Sequence, residues 1–336
     1  MSSRGHSGRR RSIGIRLFIG VCCAALAGGA LLLWEVRGIV ANSAGGDPGV
    51  GSYVQDAEAA DRAAAALLDG VVREVPGQEA RTGQQGAQDR KGAAADWRSG
   101  GWRPSEPLVA KPAAPEGAIG ALFSPGEDGD DDHHCSGVVV HSPGGDLVAT
   151  AAHCVHRGAL GFRTNLVFVP GYRDGEAPYG VWVPTRIDVD PSWSEGQDPD
   201  HDVAFLRLRR PGRPGERLED TAGAETIRFR PELPAPARVV GYPNGIDEPV
   251  DCFNTARAAG PTQLRLDCAD VPDGTSGGPV LTDAHALIGV VGGRDGGGDE
   301  TTSYSSWFDD DIRALYQRAV AGRTSGEPGR QTPGGP

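Results

Sequence analysis

The stretch Gly274-Thr275-Ser276-Gly277-Gly278-Pro279 sets a serine among glycines, and it is one of three short patterns whose combination decides the reading of the chain. Upstream lie Thr150-Ala151-Ala152-His153-Cys154 and His201-Asp202-Val203-Ala204-Phe205-Leu206, the second an acid leading directly into an apolar run. A serine hydroxyl is a weak nucleophile at neutral pH and needs a base within hydrogen-bond reach. An imidazole serving as that base needs a carboxylate behind it, which holds one tautomer and stabilises the positive form. Gly-x-Ser-x-Gly at 274–278 also fits the nucleophile turn of α/β-hydrolases, but there the acid and then the histidine come after the serine. Here His153 and Asp202 precede it, and His285 is the only histidine after it.

In this order and at these positions the chain resembles the trypsin and chymotrypsin superfamily over roughly residues 117–318. The resemblance implies an all-β fold of two six-stranded antiparallel barrels with a C-terminal helix. It implies His153 as general base, Asp202 as its buried partner and Ser276 as nucleophile, with the Gly274 and Ser276 N–H groups as the oxyanion hole. Such a site cleaves protein or peptide substrates through an acyl-enzyme and uses no cofactor and no metal. Cys135-Ser136-Gly137, with Cys154 after the histidine, resembles the disulfide that braces the histidine loop in this superfamily. The segments Pro170-Gly171-Tyr172, Pro178-Tyr179-Gly180 and Gly241-Tyr242-Pro243 resemble the bacterial branch typified by V8-like glutamyl endopeptidases. The rival function is a catalytically silent binding module, a pseudoprotease.

Zymogen-activated relatives carry Asp just before the nucleophile, where it pairs with a newly cut N-terminus; here the residue is Thr275. The expectation is that no clipped N-terminus is needed and that a chain starting at Ala113 is active. Two charged residues are candidates for the substrate pocket. Asp270, six residues before Ser276, sits at the offset where trypsin-like enzymes place the acid that binds a basic side chain. Arg294, after Gly292 and Gly293, could instead favour an acidic one.

Outside these motifs, composition bounds the answer. A formal charge of -12 excludes a general nucleic-acid binder, which needs basic surface to neutralise phosphates. Gly (51) and Pro (26) gather at the ends and in loops, consistent with one core and tails, and with a monomer. Residues 1–44 read as a signal peptide or membrane anchor: Arg4, Arg9, Arg10, Arg11 and Arg16 precede an apolar run from Leu17 to Trp34. The chain beyond Trp34 is expected outside the cytoplasm, secreted or held on the outer face of the membrane. Cys22 and Cys23 lie inside that run as small apolar residues. The remaining Cys135, Cys154, Cys252 and Cys268 suggest two disulfides. Three pairings are possible, and proximity favours 135 with 154 and 252 with 268; no Cys-x2-Cys spacing supports zinc.

Residues 45–115 are expected as a flexible linker or pro-region, with a transient helix over Glu58–Val75. Residues 116–321 form the folded domain, and 322–336 a disordered tail. Short β-branched runs at 137–140, 147–150, 166–169, 181–189, 203–208, 238–241 and 287–291 predict strands, and Ile312, Leu315, Tyr316 and Val320 predict a helix. The run Glu127, Asp128, Asp130, Asp131, Asp132, His133, His134 reads as a solvated acidic loop rather than a calcium site.

Overall fold

Strand β1 (Ser52–Val54) and helix α1 (Ala57–Gly70) precede the first barrel. That barrel comprises β2 (Ile119–Phe123), β3 (His133–Val140), β4 (Leu147–Thr150), β5 (Val167–Pro170), β6 (Val183–Val189) and β7 (Ala204–Arg209). The second comprises β8 (Ala235–Gly241), β9 (Val250–Ala258), β10 (Gln263–Asp267), β11 (Pro279–Thr282), β12 (Ala286–Val290) and β13 (Thr302–Ser306), and helix α2 (Asp310–Ala321) comes after it. The computed structural model describes residues 42–47, 49–75, 102–125, 132–283 and 285–322. Among these, the first sheet runs β1-β6-β7-β4-β3-β2-β5, and a two-way hydrogen-bonded bridge between Phe168 and Trp182 curls β5 back onto the start of β6. The second runs β12-β11-β8-β9-β10-β13 with short additions at its ends, and Gly292 N–H to Tyr304 O closes it. The expected chymotrypsin-like pair of six-stranded barrels is the observed fold.

The apolar runs are nearly continuous because both faces of these strands are covered. Val139, Val148, Phe168, Ala204 and Leu206 fill the first barrel. Their neighbours Val138, Val140, Leu147, Ala149, Val167, Val169 and Phe205 point outward to a core shared with Val240, Leu281, Leu287, Phe308, Ile312 and Leu315. A strand's period of two thus distributes one apolar run between two cores. Helix α2 is capped by Asp309, whose carboxylate accepts from the N–H groups of Asp311 and Ile312. Its last carbonyls, of Ala319 and Val320, accept from Arg207 on β7.

One expectation is corrected. The span 45–115 is not a tether where it is described. Strand β1 pairs antiparallel with β6, and α1 buries Ala60, Ala63, Ala64 and Leu67, the i, i+3, i+4, i+7 stripe of an amphipathic helix. Val72 joins them, while Leu68 faces solvent. Asp56 caps α1 by accepting from Ala59 N–H at 2.8 Å. Residues 102–113 clasp the other barrel: Ser105 pairs with Phe253, and Lys111–Pro112 with Val250–Asp251. The sequence reading undervalued α1 because alanines carry little apolar surface each; packed against β5 and β6 they close the outer core. The apolar run Leu17–Trp34 and the tail from 323 lie outside the described residues, within which no helix is long and apolar enough to cross a membrane.

Three histidines of the first barrel are held neutral. His133 sits edge-on to Phe123 and Tyr172 with its side chain fully buried, so it is not part of a solvated loop; residues 126–131 lie outside the described set. Burial pulls its pKa below the usual histidine value, and does the same to His156, packed on Phe162. Burial, reinforced by the Arg163 charge, takes His134 down to about 3 while its Nε2–H donates to Cys154 O at 3.2 Å.

This architecture has two measurable consequences. A chain beginning at Ala113 loses α1 and β1 and is expected to be poorly folded rather than active. Leu67→Ala alone should cost about 2–4 kcal/mol in denaturant unfolding, and a loss below about 0.5 kcal/mol would restore the tether reading. Because the folded chain depresses histidine pKa values, the unfolded chain binds more protons below about 6.5. Stability should therefore fall as pH drops through 6.5, with the His134 contribution continuing down to about 3. His134→Gln should flatten that slope in pH-dependent melting; an unchanged slope contradicts the assignment.

Candidate active site

His153 lies in a single 3₁₀ turn, Ala152–Cys154, directly after β4. The Cys135–Cys154 disulfide ties that turn to β3. Asp202 comes after another short turn, Pro199–His201, begun by the Asp198 carboxylate accepting from Asp200 N–H, and it is drawn inward by the apolar strand β7. Its carboxylate is 1% exposed. Oδ1 accepts from the His153 backbone N–H at 2.9 Å, and Oδ2 from His153 Nδ1–H at 2.8 Å. A third donor comes from the other barrel: Gly293 N–H reaches Oδ2 at 2.7 Å. A carboxylate only accepts, so the imidazole proton sits on Nδ1 and Nε2 is left as the basic atom.

The serine loop is held with similar economy of freedom. Asp273 O accepts from Asn244 N–H, Thr275 N–H donates to Pro272 O, Thr275 O accepts from Gly278 N–H, Ser276 O accepts from Ser136 N–H, and Gly277 N–H donates to Val291 O. Among the described residues the N–H groups of Gly274 and Ser276 donate to no protein acceptor. Gly274 has φ +94°, and a Cβ there would lie 2.3 Å from Asn244 N, so only glycine fits. Gly277 packs so closely that a Cβ would meet Thr150 Oγ1 at 2.1 Å and Ala151 N at 3.0 Å. That approach seats the half-buried Ser276 beside the strand end that carries His153.

Both predicted disulfides are present, Cys135–Cys154 and Cys252–Cys268. The donor atoms of Cys135, Cys154 and His153 cluster within 4.8 Å, but the two sulfurs are bonded to each other and offer no thiolate to a metal. Of the two pocket candidates, Asp270 is exposed at a positive-φ turn (+56°), its N–H on Glu300 O. Arg294 is also exposed, with its guanidinium 5.7 Å above the Tyr304 ring, one residue from the Gly293 that touches Asp202.

Sequence reading missed Gln263. Only 1% exposed, it donates through Nε2 to Pro199 O and Asp200 Oδ1, both at 2.8 Å, and accepts Arg294 N–H on Oε1 at 3.2 Å. It thereby staples the turn before Asp202 to the Gly292–Gly293 segment. A Cβ on Gly292 would sit 2.9 Å from Asp202 Oδ2 and one on Gly293 2.5 Å from Gln263 Oε1, which explains the glycine pair. No local pattern marks Gln263, because its partners come from two distant segments.

Comparison with known proteins agrees with this geometry. Residues 135–290 match the family described as a trypsin-like peptidase domain. A protease, Anisep, from Arthrobacter nicotinovorans is similar in structure at 25% identity and TM-score 0.56, over 63% of this chain and 100% of its own. A thermostable serine protease, AL20, from an extremophilic microorganism is similar at 27% identity and TM-score 0.55, over 62% of this chain and 99% of its own. A Glu endopeptidase shares the fold at 18% identity and TM-score 0.52, over 63% of this chain and 97% of its own. Among curated proteins, an extracellular metalloprotease of Bacillus subtilis is 27% identical over 109 residues, 32% of this chain; the chain spans only a third of that relative's length. The fold is that of the chymotrypsin-type serine proteases, and it carries a match to the trypsin-like peptidase domain.

Proposed function

We propose that the chain is an exported serine endopeptidase that hydrolyses peptide bonds through an acyl-enzyme, with His153, Asp202 and Ser276 as its triad. The observation that carries this reading is the buried Asp202 carboxylate bonded to both the backbone N–H and the Nδ1–H of His153. His153 Nε2 takes the Ser276 proton as Oγ attacks the scissile carbonyl carbon. The resulting oxyanion is met by the N–H groups of Gly274 and Ser276, which no protein acceptor among the described residues occupies. Collapse expels the amine with the proton from His153 and leaves the acyl-enzyme. Water then attacks with His153 again as base, and the carboxylic acid product and free serine return. Export is supported by the two disulfides, which persist in oxidising compartments. Affiliation with the V8-like branch is supported by the Gly-Tyr segments, where Tyr172 and Tyr242 are buried together against His133.

For the substrate, Arg294 is the better placed of the two candidates. No carboxylate pairs with its guanidinium among the described residues, and its backbone adjoins the Asp202 donor Gly293. An acidic side chain next to the scissile bond fits this reading.

A fluorophosphonate should label the disulfide-bonded protein and fail to label Ser276→Ala, and Asp202→Asn should lower kcat by about 10⁴. Absence of labelling in the wild type would favour the silent binding module. With peptides varied at the residue before the cut, Glu or Asp should exceed Lys or Arg. Arg294→Ala should erode that preference about tenfold, one charge-assisted hydrogen bond; selectivity indifferent to the substitution would remove Arg294 from the pocket.

A further inference from the structure

Ser136 comes directly after the bracing Cys135 on β3 of the first barrel and is completely buried. Its Oγ donates to Gly274 O at 2.9 Å and accepts Tyr242 N–H at 2.7 Å. Its N–H donates to Ser276 O at 2.7 Å, and its carbonyl accepts from Thr150 Oγ1 at 2.8 Å. Every polar atom of this residue is therefore spent, and three of its four partners lie in the second barrel, two of them in the loop that carries Ser276.

Those two bonds hold particular peptide groups. The Gly274–Thr275 peptide is fixed at its oxygen by Ser136 Oγ and at its N–H by Pro272 O. The Ser276–Gly277 peptide is fixed at its oxygen by Ser136 N–H and at its N–H by Val291 O. These two peptides come immediately after the two free N–H groups, on Gly274 and Ser276. Rotation at either residue would swing a donor away from the oxyanion. Such donors act only when aimed at the place where charge develops, and an error of about 1 Å can cost on the order of 10² in rate.

We propose that Ser136 is a positioning residue for the oxyanion hole: its hydroxyl clamps the peptide after the Gly274 N–H and its backbone N–H the peptide after the Ser276 N–H, in register with the His153 base of the first barrel. The assignment rests on the reading of those N–H groups as oxyanion donors. Ser136 touches no reacting atom, so its loss should appear in transition-state stabilisation and leave ground-state binding and the base alone.

The test compares the full chain with Ser136→Ala, and with Ser136→Gly should the alanine variant not fold, using Thr282→Val as a control. The control removes a buried hydrogen bond of the second barrel, Thr282 Oγ1–H to Pro236 O, that touches neither the serine loop nor Ser136. Readouts are kcat and KM on a peptide ester, the acidic limb of the pH profile of kcat/KM, and the affinity of a peptidyl trifluoromethyl ketone, whose hemiketal oxygen mimics the oxyanion. In the alanine variant kcat should fall about 10- to 100-fold, with KM within about threefold and the pH limb unmoved. Ketone affinity should weaken by the same factor as kcat/KM, and Thr282→Val should stay within about threefold of wild type. Wild-type kcat in a folded Ser136→Ala, an equal loss in Thr282→Val, or a fall in kcat with unchanged ketone affinity each overturns the positioning role while the peptidase reading stands. An inactive, unlabelled wild type overturns both.

Discussion

The Asp202 carboxylate is the interaction on which the two barrels and the site jointly depend. Withdrawing a carboxylate from water costs several kcal/mol unless donors replace the lost hydration. Here three N–H groups do so, two from His153 in the first barrel and one from Gly293 in the second. Barrel docking and orientation of the imidazole are thus one event: the second barrel must approach to 2.7 Å to complete the anion's shell. The glycines at 292 and 293 are the consequence, since a side chain at either would press on the carboxylate or on Gln263. Gln263 extends the constraint outward, joining the turn before Asp202 to the loop that supplies its third donor.

Surrounding this centre, the helices that flank the two barrels act as packing rather than as decoration. Both helices lie against β6, α1 also on β5 and α2 also on β7. The outward-facing valines and Phe205 of the first barrel would otherwise meet water, at roughly 25 cal/mol for each Å² exposed. Helix α2 adds polar closure through Arg207, and Tyr316 O–H reaches His141 O at 2.8 Å. The two disulfides close loops of 19 and 16 residues, worth roughly 3 kcal/mol each in a chain-entropy account. One braces the histidine turn, and the other joins β9 to the start of the segment leading to Ser276.

Legibility in the sequence tracks locality. The histidine, acid and serine segments are readable because each lies in a short pattern, and the disulfide partners because each pair closes a short loop. Strands with β-branched runs, such as β4 and β12, are equally plain. Strand β13, Thr-Ser-Tyr-Ser-Ser, is not, since nothing in its composition suggests burial. Ser303, Ser305 and Ser306 are nevertheless buried, because their backbone closes a barrel and their small side chains fit where strands crowd; a Cβ on Gly289 would lie 2.4 Å from Ser305 Oγ. Helix α1 reads as transient because its alanines stabilise only against a partner surface the local pattern does not contain. Ser136 and Gln263 are invisible for the same reason in polar form: each is defined by acceptors tens of residues away.

The serine loop shows why so much polar structure is concentrated on so few residues. Leaving a donor unpaired in a partly buried site costs about 1–3 kcal/mol, and a peptide free to rotate would relieve that cost by finding an acceptor. Here rotation is blocked on both sides of each free N–H: Asp273 O is held by Asn244, Gly274 O by Ser136, Thr275 O by Gly278 and Ser276 O by Ser136 again. The positive φ of Gly274 belongs to the same arrangement, a conformation that persists because its surroundings over-determine it. On the reading proposed above, a negative charge arriving between two donors held in this way meets dipoles already oriented and needs no reorganisation at the moment it forms. In that proposal the cost of leaving the two donors unpaired and their capacity to stabilise an oxyanion are the same quantity seen from two sides.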